Sequence, residues 1–482
     1  MIGVLHMSQP SPAEDRRMES PQENRMGTQP INKLLISMAA PIMVSMIIQA
    51  LYNVVDSFFV ARISENALTG VSLAFPIQNL MMSVVLGIGV GVNALSSRSL
   101  GQQDKPQAER IAMQGIFMAL VGYVIFLLLG LFAVRPFMLA QTDIREIVDY
   151  GSEYLTICCC CSIGIFMQII NERILQSTGR TLCTMFTQGA GAIINIILDP
   201  ILIFGLFGFP ELGVRGAAWA TVIGQCCAAI FATTMNLLVN KDIRLRISNL
   251  KPQLQTISRI FVIGCPSMLM MAIGSVMTFF LNKILLGFAA TAAAVFGVYF
   301  KLQSFVFMPI FGMNNGMVPI IGYNYGAGKK ERIRKTYRLA VCYAVSIMCL
   351  GILLFQLKAD WLLSLFQASP DMLEMGIPAL RIISLHFPIA GFCIVTSSLL
   401  QALGRSMYSL YISVIRQLFA LLPAAWLLSL SGNLAMVWWA FPIAETVSLL
   451  LCLYFKQRTM KAINAELAQR AAASSLAANN IA

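Results

Sequence analysis

The chain has 482 residues, 57% of them hydrophobic and 12% charged, with a formal net charge of +12 and a mean hydropathy of +0.74. Soluble globular chains carry about 25% charged residues, so this composition argues against a soluble enzyme and makes lipid the expected solvent. The basic excess must then be explained by where the charges sit, not by nucleic acid.

In chain order, residues 1–30 are polar, contain Pro and mix both signs of charge ("SPAEDRRMESPQENR"). They read as a disordered extension, too polar for a signal peptide. From residue 31 onward, apolar runs long enough to cross a bilayer recur with centres near 48, 83, 121, 160, 194, 227, 272, 307, 346, 386, 418 and 446. The expected fold is an all-α polytopic membrane protein of twelve transmembrane helices. Six lie in an N-lobe (31–240) and six in a C-lobe (257–457), with a cytoplasmic inter-lobe linker at 241–256 and a cytoplasmic tail at 458–482. Arg98, Lys105, Arg110, Arg173, Arg180, Lys241, Arg244, Arg246, Lys329, Lys330, Arg332 and Arg405 all fall on connections of one side. The opposite connections carry only Arg62, Arg135, Arg145, Arg215 and Lys358. This asymmetry places both termini in the cytoplasm.

The cysteine run Cys158 to Cys161 points four ways around a helix and cannot gather on one metal, so it reads as packing. An internal repeat organises the rest. "LQSTGR" at 175–180 returns as "LQALGR" at 400–405, an offset of 225 that also maps Pro41 to Pro266, Gln78 to Gln303, Gly87 to Gly312, Gly91 to Gly316 and Gly101 to Gly326. Beyond it, "AWATVIGQ" aligns with "WWAFPIAE" at an offset of 220. Six crossings return each half to its starting side. The lobes are therefore parallel repeats about a pseudo-two-fold axis along the membrane normal, with a cleft between them. "GYNYGAGKKER" joins two membrane helices and fails as an ATP-binding loop, and with only His6 and His386, His-based catalysis has few candidates. No cofactor is expected; the chain reads as a transporter driven by an ion gradient, not an enzyme.

Ionisable residues inside a membrane are costly and mark function. The N-lobe has two, Asp56 in "LYNVVDSFFV" and Asp199 in "NIILDPILIF". Each lies about 9 Å from an outer helix end, at a rise of ~1.5 Å per residue. Asn195 and Tyr52, each four residues earlier, share the face of their acid, and Thr221 reaches a similar depth. Pro200 leaves the carbonyl of Ile196 without its usual donor, which makes it the expected conformational break. This oxygen set suits a hard cation such as Na+, or a proton; beyond such a Na+, no metal is expected. The C-lobe lacks both acids, having Leu281 and Ala424 at the repeat positions. Arg416 and Glu445 read there as a structural ion pair, and His386, before Phe387 and Pro388, as a histidine at a helix break. The candidate substrate cleft takes Gln49, Asn53, Gln78, Met82, Met277 and Gln303, and flexible methionines suit varied apolar ligands.

With these stretches in view, together with "GIGVGVNALSSRSLG", "GVRGAAWATVIGQ" and "FGMNNGMVPIIGYNYGAGKKERI", the chain from about 31 to 457 resembles the multidrug and toxic compound extrusion (MATE) family, in particular its DinF-type bacterial branch. The resemblance implies a transporter of the bacterial inner membrane, read here as a monomer. It would export amphipathic, often cationic, small molecules by H+ or Na+ antiport, with Asp56 and Asp199 as the cation site and Asn195, Thr221 and Tyr52 around them. The alternative is a flippase or exporter of a lipid-linked or anionic metabolite in the same superfamily, which the roughly balanced deep charges disfavour.

Overall fold

The computed structural model of the chain describes residues 24–366 and 369–479, and every regular element among them is helical. The N-terminal half contains α1 (Arg25–Thr28), α2 (Ile31–Ala61), α3 (Glu65–Gly101), α4 (Lys105–Phe132), α5 (Val134–Leu139), α6 (Arg145–Cys160), α7 (Ile163–Ser177), α8 (Thr181–Phe204) and α9 (Val214–Leu238). The C-terminal half contains α10 (Leu254–Leu286), α11 (Ala290–Gly326), α12 (Lys330–Leu357), α13 (Ala359–Ser364), α14 (Pro370–Ser384), α15 (Phe387–Ala402) and α16 (Ser406–Val414). A π-helical segment (Ile415–Leu421) joins α16 to α17 (Leu422–Ser429), and α18 (Leu434–Val437) and α19 (Ala440–Asn479) complete the fold.

Among the described residues, ten helices are long and apolar enough to cross a membrane, or twelve when two bent pairs each count as one span. Those pairs are α6 with α7, bent by 47°, and α14 with α15, bent by 49°. The breaks fall at Cys161 and His386, which the offset of 225 superposes. Pro388 marks the second break in the sequence, whereas no proline marks the first.

The two halves meet through α2 against α11 and through α3 against α10 and α11. The repeated glycines lie in this seam. A Cβ on Gly101 would stand 2.8 Å from the carbonyl carbon of Tyr323, and one on Gly326 would stand 3.0 Å from that of Arg98. Residues 101 and 326, and 98 and 323, are repeat partners, so the contact maps onto itself under the pseudo-two-fold. Close backbone approach of two membrane helices requires small residues at the crossing. The seam closes the end of the bundle that carries Lys105, Arg180, Lys241 and Lys330, here called the basic face.

Part of the N-terminal extension expected to be disordered is packed, and so is the C-terminal tail. Residues 1–23 lie outside the described residues, but Asn24 to Gln29 are packed rather than disordered. Met26 is fully buried, and its carbonyl accepts from Asn324 Nδ2 and Arg332 Nη2, both at 3.0 Å. Arg25 donates to the Gly179 carbonyl, so this short segment bridges the basic ends of the two lobes. At the other terminus α19 runs on through Asn479, and Thr459, Ile463 and Leu467 are buried. Glu466 accepts from Tyr325 Oη at 2.8 Å and lies 3.9 Å from Arg98, again across the seam. A few apolar positions within a polar segment decide its docking. The linker is held as well, because the buried amide of Gln114 donates to the carbonyls of Asn249 and Lys251, each at 2.8 Å.

Candidate functional site

α8 continues as one helix through Pro200 and stops at Gly205, whose φ of 69° suits a left-handed helix end. The expected break at Pro200 is therefore not a break in this conformation. α2 and α9 both pack along α8, which brings the N-lobe polar residues together. Asp199 and Asn195 are buried. Asn195 Nδ2 donates to Asp199 Oδ1 and to Thr221 Oγ1, both at 3.4 Å. Asp56 and Tyr52, on α2, lie within Coulombic reach of Asp199.

Among the described residues, three oxygens of this cluster, Asp56 Oδ1, Asn195 Oδ1 and Asp199 Oδ2, are buried without a hydrogen-bond partner. A buried acceptor left unmatched costs about 1–3 kcal/mol, and more when charged. Two carboxylates, an amide oxygen and a hydroxyl form a hard-oxygen set that a proton or an alkali cation would satisfy.

Tyr52, Asn195 and Thr221 also line a cavity of about 290 Å³ largely within the N-lobe, together with Gln49, Met82 and, from α11, Met308 and Asn315. At its far end lies an acid that sequence reasoning misses. Glu172, on α7, is 2% exposed. It accepts from Gln168 Nε2 at 3.1 Å, Thr187 Oγ1 at 3.2 Å and Gln188 Nε2 at 2.6 Å. From Gln188 to Asp199 is 11 positions, about 16 Å along the helix, so a carboxylate stands near each end of the cavity. The adjoining Arg173, expected on a connection, is buried instead. Its Nη1 donates to Gln176 Oε1 and to Asn315 Oδ1 of the other lobe, each at 2.9 Å. The unmarked break at Cys161 hides this register from the sequence. The available signal is Gln168, one turn before Glu172 on its own helix.

A second cavity, of about 1120 Å³, lies between the lobes on the far side of the glycine seam. Met277 and Gln303 line it, as do Tyr299, His386, Arg416 and Glu445. Arg416 Nη1 donates to Glu445 Oε2 at 3.2 Å. The candidate cleft residues thus divide between two cavities. Gln78 lines neither; its amide reaches Tyr154 Oη at 3.3 Å and Cys158 Sγ at 3.9 Å. The side chain of Asn53 lies outside the described residues.

The MatE family model matches residues 41–201 and 266–427. The FAD transporter of Shewanella oneidensis is 25% identical over 443 residues, covering 90% of this chain and 96% of that protein. The multidrug export protein MepA of Staphylococcus haemolyticus is 26% identical over 425 residues, covering 88% and 93%. Among solved structures, a MOP superfamily transporter from Pyrococcus furiosus superposes with a TM-score of 0.86 at 24% identity, over 92% of this chain and 99% of that one. That likeness bears on the fold alone.

Proposed function

The chain belongs to the MatE family of membrane transporters, and from that premise we propose that it is a cation-coupled antiporter exporting amphipathic, often cationic, compounds. It is a multi-pass membrane transporter and not an enzyme. In this reading the basic face is cytoplasmic, both termini lie there, and the glycine seam shuts the inner side while the inter-lobe cavity serves the outer side. The observation that carries the coupling proposal is the trio of buried oxygens on Asp56, Asn195 and Asp199 that have no partner among the described residues.

H+ or Na+ arriving from outside satisfies those oxygens and removes the repulsion between the two carboxylates. α2, α8 and α9 then repack around Asp199, Asn195 and Thr221. Pro200 supplies the compliant point, because the Ile196 carbonyl lacks its usual donor. The N-lobe cavity tightens, and substrate leaves outward through the inter-lobe cavity. Glu172, at the inner end of the same cavity, is placed to receive the cation before release to the cytoplasm. The relatives named as a multidrug export protein and a FAD transporter support export of an amphipathic small molecule. The former is named for export of multiple drugs. The latter, with Arg416 on the inter-lobe cavity, favours as second reading an anionic metabolite.

The deciding experiment is efflux from proteoliposomes in which the H+ and Na+ gradients are set independently. One gradient should drive export in the wild type, and Asp199→Asn should abolish it while the protein stays monodisperse. Undiminished export by that variant would remove the coupling role of the acid pair.

A further inference from the structure

The offsets that relate the lobes also relate their cavities. Subtracting 225 takes Arg416 to Gly191 and Gln417 to Ala192, and subtracting 220 takes Glu445 to Gln225. All three N-lobe counterparts line the N-lobe cavity, and Arg416, Gln417 and Glu445 all line the inter-lobe one. One architectural position therefore carries no charge in the first lobe and an arginine and a glutamate in the second. Packing alone does not call for this, since Gly191 and Gln225 fill the same positions without charge.

We propose that Arg416 and Glu445 form the head-group site of the inter-lobe cavity and recognise the acid group of an aromatic amphiphile; this rests on the transporter reading and narrows its substrate to the acid-bearing class of the second reading. The guanidinium has five N–H donors, and one of its bonds goes to Glu445. The Arg416 side chain is 33% exposed and lines the cavity, whereas that of Glu445 is 4% exposed and stands behind it. A ligand thus meets the cation first. A carboxylate or phosphate can take two parallel N–H bonds from the free side of the fork, with Glu445 keeping the arginine oriented.

The surroundings agree with this occupant. Arg416 lies in the π-helical segment, a distortion of the kind that often marks functional sites. Among the described residues, two buried oxygens of the cavity lining, Glu445 Oε1 and Tyr299 Oη, have no hydrogen-bond partner, which leaves an acceptor for a donor on the same ligand. Part of the remaining wall is aromatic, with Phe300, Phe307 and Phe441 beside polar residues such as Asn79, Ser275 and Thr278, and the His386 ring stacks on Phe441 at 6.0 Å. Small-molecule pockets commonly enclose about 300–1,000 Å³, so a volume of about 1120 Å³ admits a fused-ring ligand. An organic cation without an acid would place its charge against the exposed arginine.

The test is equilibrium binding to the full-length protein in nanodiscs, with no ion gradient, using two xanthene dyes that differ in one group. Rhodamine B carries a free carboxylate, and its ethyl ester does not. The wild type should bind the acid more tightly than the ester, by about tenfold to a hundredfold for hydrogen bonds to a charged group. The double variant Arg416→Gln with Glu445→Gln removes both charges without stranding one, and should lose that preference while still binding the ester. Arg416→Lys, which keeps the charge but not the fork, should retain only part of it. No saturable binding of the acid, equal affinity for both dyes, or an unchanged ratio in the folded double variant would overturn the assignment. Loss of gradient-driven efflux with the preference intact would instead overturn the coupling proposal alone.

Discussion

Replacing Gly101 by Ala tests the seam directly, since it adds one methyl group where two backbones touch. The new Cβ would lie 2.8 Å from the Tyr323 carbonyl carbon and 3.0 Å from the Ala327 nitrogen. Ordinary contacts begin near 3.4 Å, and no flexible side chain is available to give way. α3 and α11 must therefore part by several tenths of an ångström or more. Overpacking of this kind costs about 1–3 kcal/mol, and it falls on the state closed at the basic face. Alanine also favours the helix by ~1 kcal/mol over glycine, but that gain is common to both states and cancels from their ratio. The closed-to-open ratio should fall about 5- to 150-fold. Spin labels at Lys105 and Lys330, which are exposed repeat partners, report the separation by double electron–electron resonance. The short-distance population should shrink in Gly101→Ala, and likewise in Gly326→Ala through its contact with Arg98. A distance distribution identical to the wild type in both variants would refute the steric account of closure.

Glu172→Gln should reduce gradient-driven efflux by about tenfold or more, if one carboxylate carries a proton-transfer step, while shifting the melting temperature little because its shape is kept. Full activity in proteoliposomes would take Glu172 out of the cation path. Asn195→Ala removes the amide shared by Asp199 and Thr221, and should weaken the cation dependence of efflux about fivefold, from a net hydrogen bond of ~1 kcal/mol. An unchanged dependence on ion concentration would dismiss that role. Glu466→Ala removes the bridge to Tyr325 and Arg98. Its groups are partly exposed, so the cost should stay within about 1 kcal/mol, and the spin-label distances should move less than in Gly101→Ala. A larger shift would make the C-terminal helix the principal latch.

Much of the architecture is legible because lipid is a demanding solvent. Apolar runs locate the twelve crossings, and the constant offset picks out the glycines of the seam. Asp56 and Asp199 stand out because a lone acid in an apolar run is costly to bury and rarely structural. Glu172 does not, for it sits beside an arginine near a helix end, the usual surroundings of a solvated charge. The packing of the terminal segments is hidden for a related reason. Composition describes how polar a segment is, but the docking of α19 depends on Ile463 and Leu467, four positions apart on one helical face.

By itself, then, the sequence determined the solvent, the helices, the two-lobe repeat and the position of the unusual charges, since each follows from local hydrophobicity or self-similarity. The tertiary structure alone decided which charges share a space. It joined Asn195 to Asp199 and Thr221, put Glu172 at the far end of their cavity, and turned Arg416 toward the cleft with Glu445 behind it. Those relations depend on helix rotation and on where a span bends, and a bend at Cys161, held by packing between helices distant in the chain, leaves no mark in the residues beside it.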